Sequence, residues 1–541
     1  MSTTITTSSH AAPAPHSPAK MDAAQHSRRQ YAPSPWGDFF LTHEPCTQQD
    51  LLSMKEKAEV LKEEVRRILL DAAASDDLAQ KVDLVDTLQR LGLGYHYRKE
   101  IDEALRAMYD DKNGGSDDLY VTSLRFYLLR KHGYDVPSDV FVKFRDEHGN
   151  ITSDDLNNLI MLYDAAHLRT HGEVILDSII TLNKCRLQSL MDTNLEEGLV
   201  KEVQLTLEAP RFRRVERVEA RHFISWYEKK QSARHDTIMK FAKLDYNIGQ
   251  VLYCRELKEL TFGMRCPNYM NLFGNSQMVE GFYVADRYGI CARLVEMYFW
   301  MMAIVHEPYS TYSRIKLTKL VLFIALIDEM YDNCATTEED FYENIIGNAN
   351  EIVHELKFQN NKNAKVLKDV AKCYQAEVKW RDEHHVPTDV EEHLKISLKS
   401  VVAMHTVNFA FISMGDVATR EVAEWAFTYP KIIRSVSILA RISNDIMSHE
   451  REQASDHMAS TVQTCMKQYG VTAEEAIEKL RCKTERTWMD IIQECLDHRE
   501  HSMVLLEKVV AFAQSIDFFY KHEDAYTLSS KLEYTLTLLY V

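Results

Sequence analysis

From Trp36 to the C-terminus, the sequence is a succession of helical patterns separated by short polar breaks. Over Asp50–Leu70, apolar residues recur at spacings of three and four positions, which is typical of an amphipathic helix. Similar patterns predict helices over 84–97, 391–411 and 420–448, among others. Only 17 glycines and 12 prolines interrupt the 541 residues, which is sparse for a β-rich protein. The sequence therefore predicts an all-α fold.

A chain of this length exceeds what one hydrophobic core usually supports, so we expect two domains. Residues 1–34 carry almost no large apolar side chain before Tyr31 and are predicted to form a disordered tail. An N-terminal helical domain is placed at 35–230 and a C-terminal, metal-binding catalytic domain at 231–541. A plastid transit peptide is the less favoured interpretation of the tail, because the tail has few arginines.

The composition excludes several kinds of partner. A formal net charge of −17 argues against a nucleic-acid-binding surface, since such surfaces neutralise phosphates with many basic residues. The 10 cysteines lack a C-x-x-C pair or other zinc-like spacing, so we expect reduced thiols in a cytoplasmic protein. No run approaches the roughly 18 apolar residues of a membrane span, and no span is predicted.

The stretch from Leu320 to Asp332, LVLFIALIDEMYD, is an apolar run that ends in carboxylates. This pattern predicts a buried helix whose last turn emerges into a polar cavity, because carboxylates are seldom buried without a counter-ion. Asp328 and Asp332 are four residues apart and share one helix face. Two carboxylates on one face suit Mg²⁺, which completes its shell with water and substrate phosphate. The stretch predicts a diphosphate-binding metal site.

A second set of oxygen donors occurs near the end of another predicted helix. Asn444, Ser448 and Glu452 stand at positions i, i+4 and i+8, so they line one stripe of that helix. Oxygen donors without His or Cys favour Mg²⁺ over zinc or iron. Arg441 lies about one turn earlier on nearly the same face, where it is placed to pair with a phosphate oxygen.

Taken alone, each of these features has a simpler explanation. An acidic helix end is usually a solvated turn, and Asn or Ser is often merely tolerated in a helix. Arg441 alone would more often be a structural ion-pair partner. Trp300 and Tyr520 alone would be core aromatics. The joint occurrence of both motifs in matching flanks favours the metal site.

The motifs resemble those of a known family. Asp328 to Asp332 is similar to a D-D-x-x-D motif with Glu329 at the middle acid, and Asn444 to Glu452 is similar to (N/D)-D-x-x-(S/T)-x-x-x-E. Further matching segments are Trp36-Gly-Asp-Phe-Phe, Thr87-Leu-Gln-Arg-Leu-Gly-Leu-Gly, Gly133-Tyr-Asp-Val-Pro, Val295-Glu-Met-Tyr-Phe-Trp300 and Asp524-Ala-Tyr526. The chain resembles plant class I terpene synthases, most closely the cytosolic sesquiterpene synthases of grasses.

The resemblance implies an isoprenoid synthase-type helical bundle around an apolar cavity at the C-terminus and an α-barrel-like domain at the N-terminus. It implies a lyase that ionises farnesyl diphosphate and cyclises or rearranges the carbocation to a sesquiterpene. Three Mg²⁺ ions are expected, with Mn²⁺ as the alternative, and the protein is expected to be a cytoplasmic monomer. The implied metal ligands are Asp328, Asp332, Asn444, Ser448 and Glu452.

The resemblance also implies catalytic and substrate-binding residues. Arg293 matches the second arginine of an R-x-R element and is expected, with Arg441, to bind the diphosphate. Trp300 matches a position on the cavity floor. Tyr520 and Asp524 match a C-terminal pair near the loops that close the cavity.

Three departures leave alternatives open. Cys291 stands at the first arginine of R-x-R, Ser455 stands where a basic residue is usual, and the span from Thr337 to Phe358 lacks a helical segment that the family normally has. Each missing basic side chain would remove a charge-assisted contact with the diphosphate and weaken diphosphate binding by about 1.5 to 3 kcal/mol. The alternatives are a degenerate, non-catalytic protein that binds prenyl diphosphate, and a monoterpene synthase that uses geranyl diphosphate.

Overall fold

The described part of the chain is built from helices joined by turns and loops, and it contains no strand. The all-α prediction is confirmed. The structure, a computed structural model, describes residues 35–111, 115–191, 197–229, 236–265, 293–333, 361–411, 414, 419–453, 459–497 and 502–541.

The first half of the chain contains α1 (Phe39–Thr42), α2 (Gln48–Ala74), α3 (Leu78–Arg90), α4 (Arg98–Asp110), α5 (Leu119–Lys131), α6 (Leu156–Ala166), α7 (Val174–Met191), α8 (Glu197–Glu208), α9 (Glu216–Lys229) and α10 (Asp236–Arg265). The second half contains α11 (Leu294–Ile304), α12 (Thr311–Asn333), α13 (Asn361–Asp382), α14 (Val390–Ser400), α15 (Ala403–Phe411), α16 (Arg420–Phe427), α17 (Lys431–Gln453), α18 (Thr461–Tyr469), α19 (Ala473–Asp497), α20 (Met503–Phe519) and α21 (Glu533–Tyr540). Short 3-10 helices lie at Gly94–His96, Ser138–Phe144, Arg211–Arg213, Pro308–Ser310 and Ser529–Lys531.

Side-chain caps fix where several helices begin. At the start of α2, the Thr47 hydroxyl accepts from the Asp50 amide at 3.1 Å, and the Asp50 carboxylate accepts from the Thr47 amide at 3.2 Å. Ser460 and Gln463 form the same reciprocal pair at the start of α18. Each N-cap of this kind stabilises its helix by about 1 kcal/mol.

Three helices predicted from periodicity are shorter or divided in the structure. The pattern over 84–97 ends as an α-helix at Arg90, and Gly92 then adopts a φ of 73°. The pattern over 391–411 divides between α14 and α15 at Val402, whose φ is 58°. The pattern over 420–448 divides between α16 and α17 at Tyr429, which precedes Pro430 and has a φ of 59°. A residue whose backbone has a positive φ, in the left-handed region, cannot continue a right-handed helix.

Several helices of the second half surround a cavity. Helix α11 packs on α12 and α20, while α17 packs on α15, α19 and α20. The apolar run of α12 is buried at Leu320, Leu322 and Ile324. One buried apolar cluster continues from this bundle into the first half, where α2 packs against α10.

Some sequence predictions lie outside the described residues. These are the tail at 1–34 and the span from Thr337 to Phe358. The predicted domain boundary at 230/231 also falls in a segment that is not described, so it stays a prediction. Among the described helices, none combines the length and the apolar character that crossing a membrane requires.

Candidate active site

A cavity of about 230 Å³ lies among α11, α12, α13, α15, α17 and α20 and the segment that follows α20. Its lining combines charged and amide side chains with an apolar and aromatic wall. The polar lining includes Asp328, Glu377, Arg441, Asn444, Arg451, Glu452 and Asp524. The apolar and aromatic lining includes Met297, Trp300, Ile324, Phe512, Tyr520 and Tyr526. The cavity can therefore surround an apolar molecule that carries a charged group.

Two helices distant in sequence bring both predicted metal motifs to this cavity. Asp328, at the end of the buried run of α12, lines it together with Asn444 and Glu452 of α17. Asp328 is also close enough to Arg441 to help raise the pKa of that guanidinium. Asp332 lies in the last turn of α12, but its side chain is not among those described.

Ser448 is a buried residue of α17 that is not among the described residues lining the cavity, although Asn444 and Glu452, one turn to either side, are. Its side chain is 1% exposed, and its Oγ has no hydrogen-bond partner among the described residues. A buried polar atom normally has a partner, because leaving it unsatisfied costs about 1 to 3 kcal/mol. A ligand that binds oxygen would satisfy this atom.

The donors around the cavity fit a hard, oxygen-binding cation. No cluster of three His, Cys, Asp or Glu side chains suitable for a metal occurs within the described ranges. The candidate donors are instead two carboxylates and an amide that line the cavity, Asp328, Glu452 and Asn444, together with the hydroxyl of Ser448 on the same face of α17. Such mixed oxygen donors suit Mg²⁺, which needs only one or two protein carboxylates.

Arg441 is held by a network of buried groups. Its guanidinium donates to Ser400 Oγ at 2.9 Å and lies 3.4 Å from Asp445 Oδ1 and 3.9 Å from Glu377 Oε1. Burial alone would lower the pKa of Arg441, but Asp445, Glu377 and Asp328 hold it above its ordinary value. Arg441 is thus a fixed positive charge in the cavity wall.

Sequence reasoning missed the groups that position Arg441. Asp445 Oδ2 accepts from the Thr461 amide at 2.7 Å, at the first residue of α18, so this carboxylate joins α17 to α18. Glu377 is 5% exposed and accepts from Ser400 Oγ at 2.8 Å. One signal was present in the sequence: Glu377 follows Tyr374 by three residues in the apolar stripe of α13, where a carboxylate is unexpected.

Aromatic side chains form one wall of the cavity. The Trp300 ring stacks on Phe519, with centroids 4.3 Å apart, and contacts Tyr520 and Tyr526 at 5.9 and 6.0 Å. Trp300 Nε1 donates to Ser515 Oγ at 2.9 Å, which fixes the ring. Burial raises the pKa of Tyr520 well above its ordinary value, so the phenol stays protonated, and its side chain hydrogen-bonds with Asn444.

The segment after α20 is fastened to α17 by an ion pair. Arg451 Nη2 donates to Asp524 Oδ2 at 2.8 Å, and Asp524 Oδ1 accepts from the Thr527 amide at 3.0 Å. Asp524 is 3% exposed. The predicted C-terminal pair, Tyr520 and Asp524, therefore lies against the helix that carries the second motif.

Arg293 is placed differently from the other predicted residues. It precedes α11, is 1% exposed, and is not among the described residues that line the cavity. Its guanidinium donates to Ser529 Oγ and, at 3.0 Å, to the Thr527 carbonyl. Its diphosphate-binding role stays a prediction. Cys291 and Ser455 lie outside the described residues.

Comparison with known sequences identifies the family. The model of "Terpene synthase, N-terminal domain" matches residues 35–207, and that of "Terpene synthase family, metal binding domain" matches residues 284–341 and 340–490. The chain belongs to the terpene synthase family. The two pieces of the metal-binding match meet at residues 340–341, inside the span that the sequence analysis found to be shortened.

Within this family the chain is similar to sesquiterpene synthases of grasses. It is 46% identical to (E)-beta-caryophyllene synthase of Zea mays over 535 residues, which cover 94% of each chain. It is 40% identical to Beta-sesquiphellandrene synthase of Sorghum bicolor over 545 residues, which cover 95% of this chain and 96% of the relative. These relatives support a sesquiterpene synthase, a lyase, as predicted from the resemblance.

A solved structure supports both the fold and a metal cofactor. Isoprene synthase from grey poplar leaves, in complex with three Mg²⁺ ions and dimethylallyl-S-thiolodiphosphate, superposes with a TM-score of 0.77. The two sequences are 26% identical, and the match covers 90% of this chain and 97% of the poplar enzyme. Together with the metal-binding family match, this supports a divalent metal cofactor.

Proposed function

We propose that this sesquiterpene synthase ionises farnesyl diphosphate with the help of Mg²⁺ and cyclises or rearranges the resulting carbocation. One observation carries the proposal: Asp328 of α12 and Asn444 and Glu452 of α17 line one cavity whose wall includes Trp300 and Tyr520. This arrangement provides oxygen donors for metal and diphosphate beside a surface for a hydrocarbon chain.

The proposed metal ligands are Asp328, Asp332, Asn444, Ser448 and Glu452. The buried Ser448 Oγ supports this assignment, because no described residue satisfies it. Mg²⁺, when bound, would neutralise the negative charge that develops on the diphosphate as the C–O bond breaks. The number of three ions and the use of Mn²⁺ stay predictions.

Arg441 would bind the diphosphate from the cavity wall. Its contacts with Ser400 and Asp445 hold the guanidinium in place before substrate arrives, so little reorganisation is needed on binding. Its positive charge would favour the departed diphosphate over the intact ester, because the leaving group carries more negative charge. Arg293 would assist only after releasing Thr527 and Ser529.

The aromatic wall would control the carbocation. The faces of Trp300, Tyr520 and Tyr526 attract positive charge, and an apolar lining delays capture of the cation by water. Because the Tyr520 phenol stays protonated, it is not a base in this pocket. Asp524 holds the segment that contributes Tyr526.

The direct test is turnover of three separate substrates by the purified chain with Mg²⁺. With farnesyl diphosphate we expect release of inorganic diphosphate and a sesquiterpene product detected by gas chromatography, and we expect chelation to abolish both. Absence of release from farnesyl, geranyl and geranylgeranyl diphosphates would overturn the proposal. Preference for geranyl diphosphate would support the monoterpene alternative. Calorimetric binding without release would support the degenerate alternative.

Cytoplasmic location and a monomeric state are part of the same proposal. The resemblance to cytosolic grass enzymes is the reason to expect both. Light scattering coupled to size exclusion would test the monomer, and fractionation of the source tissue would test the location.

A further inference from the structure

The cavity contains few positive charges for an anionic ligand. Its described lining residues include two cations, Arg441 and Arg451, and four carboxylates, Asp328, Glu377, Glu452 and Asp524. A diphosphate would add more negative charge to this environment. Each guanidinium that can reach the diphosphate therefore contributes a large share of the binding free energy of the diphosphate.

Arg441 is already engaged with several buried groups. Its Nη2 donates to Ser400 and lies 3.9 Å from Glu377, while its Nη1 lies 3.4 Å from Asp445. Its side chain is 19% exposed. These contacts fix Arg441, and the neighbouring carboxylates neutralise part of its charge.

Arg451 differs from Arg441 in both exposure and partners. Its side chain is 33% exposed, and Asp524 is its one ion-pair partner among the described residues. Its Nε has no hydrogen-bond partner in the described part of the chain. It also lies next to Glu452, one of the proposed metal ligands, and lines the same cavity. Arg451 is therefore the cation of this cavity that can most easily change partner.

We infer that Arg451 binds the diphosphate group of the substrate and exchanges Asp524 for diphosphate oxygens when the substrate enters. The inference rests on the proposed function, because it assigns a further ligand within that site. A guanidinium pairs well with phosphate oxygens in a bidentate geometry. The sequence supports the need for such a residue, since Cys291 and Ser455 occupy positions where basic residues were expected.

The test measures the dissociation constant of inorganic diphosphate in the presence of Mg²⁺ by calorimetry on the full chain. We expect Arg451→Gln to raise this constant about tenfold to a hundredfold, since one charge-assisted contact is lost. Arg451→Lys keeps the charge but loses the fork geometry, so its effect is expected to be intermediate. A dissociation constant of Arg451→Gln equal to that of the wild type would overturn the inference.

Arg434→Gln provides the matched control. Arg434 lies on the same helix, is exposed, and is not among the described lining residues. The variant removes the same charge from the same helix but outside the cavity lining, so we expect the dissociation constant for inorganic diphosphate to equal that of the wild type. An equal weakening by Arg434→Gln and Arg451→Gln would indicate a general charge effect and would overturn the inference.

Asp524→Asn separates diphosphate binding from a purely structural role of the Arg451–Asp524 pair. If Arg451 binds diphosphate, removing the competing carboxylate does not raise the dissociation constant, whereas Arg451→Gln does. If the pair only fastens the C-terminal segment to α17, both variants weaken binding equally, and the inference is wrong. Asparagine keeps an oxygen for the Thr527 amide, which limits damage to the fold.

These outcomes are distinct from failure of the proposed function. A wild-type chain that binds inorganic diphosphate but turns over no prenyl diphosphate would overturn the proposed function alone. The comparison of Arg451→Gln with Asp524→Asn would still decide whether Arg451 binds diphosphate, because neither measurement depends on turnover.

Discussion

Two of the cavities lined by described residues contain buried charges that are used in different ways. The second cavity, here called the junction cavity, measures about 120 Å³ and is lined by residues from both halves of the chain, including Arg98, Lys131, Glu216, Glu307, Glu507 and Lys508. In the junction cavity, Glu307 accepts from Lys508 at 2.5 Å and from Arg98 at 3.1 Å. In the active-site cavity, two arginines stand among four lining carboxylates.

Buried charges of the junction cavity stabilise the fold, whereas charges of the active-site cavity are available to a ligand. Burial alone would raise the pKa of Glu307, but Lys508 and His306 hold it well below its ordinary value. Its charge is therefore balanced by cations of the protein itself, although its Oε2 has no hydrogen-bond partner among the described residues, and the pairing joins α4 to α20 across the two halves. The active-site cavity instead has fewer cations than carboxylates in its described lining, so the protein alone does not balance its charges. We expect changes in the junction cavity to affect stability and changes in the active-site cavity to affect ligand binding.

The largest effect is expected from Lys508→Met in the junction cavity. Lys508 and Glu307 are 6% and 1% exposed, and removing one partner of a buried pair leaves a poorly compensated charge. We expect the free energy of unfolding to fall by about 3 to 5 kcal/mol, with the affinity for inorganic diphosphate unchanged in the folded protein. Denaturant unfolding and calorimetric binding would check the two parts.

The matched control for this change is Lys483→Met. Lys483 pairs with Glu391 at 2.7 Å, but the two side chains are 33% and 59% exposed. An exposed pair contributes at most about 1 kcal/mol, so a small loss is expected. Similar losses in both variants would contradict the distinction between buried and exposed pairs.

For Ser448→Ala, on the helix that carries Asn444 and Glu452, we expect an effect on activity and little effect on stability. Because Ser448 Oγ has no described partner, its removal is expected to leave the free energy of unfolding unchanged or slightly increased. The loss of a proposed metal ligand is expected to lower kcat/KM by about tenfold to a hundredfold. Steady-state kinetics over a range of Mg²⁺ concentrations would measure this, and added Mg²⁺ is expected to recover part of the loss.

Ser123→Ala is the control for Ser448→Ala. Ser123 Oγ is likewise buried without a described partner, but it lies on α5 in the first half of the chain. We expect the same effect on stability and none on kcat/KM. Equal kinetic losses in the two variants would remove the reason to assign Ser448 to the metal.

The sequence was sufficient to predict the features that repeat locally. The three-to-four spacing of α2 and the apolar run of α12 arise from neighbouring residues, so the helices follow from the pattern alone. Spacing within a helix likewise indicates which donors share a face, as for Asn444 and Ser448. The alignment of both motifs at one cavity was expected from the resemblance.

Features set by long-range packing could not be predicted in the same way. Val402 is a β-branched residue with a φ of 58°, a conformation that only the surrounding structure can impose. Tyr429 was more predictable, because the residue before a proline disfavours the helical region. The roles of Glu377 and of Arg293 depend on helices and segments far away in sequence. A single sequence does not indicate which of these elements face each other.

The smallest effect concerns the pH dependence of the junction cavity. Burial lowers the pKa of His132, which lines this cavity, to about 3, whereas an unfolded histidine titrates near 6.5. As the pH falls below about 6.5, the unfolded chain binds a proton at this residue that the folded chain does not, so stability decreases until the pH approaches the folded pKa. From pH 7 to pH 5, the titration of His132 is expected to lower the free energy of unfolding by about 2 kcal/mol.

In His132→Gln, which keeps an acceptor for the Gln89 amide, this part of the pH dependence is expected to disappear. The control variant His148→Gln, at an exposed histidine, is expected to keep it. Chemical denaturation at both pH values would measure the difference, and equal slopes for His132→Gln and the wild type would show that the junction cavity does not hold His132 neutral.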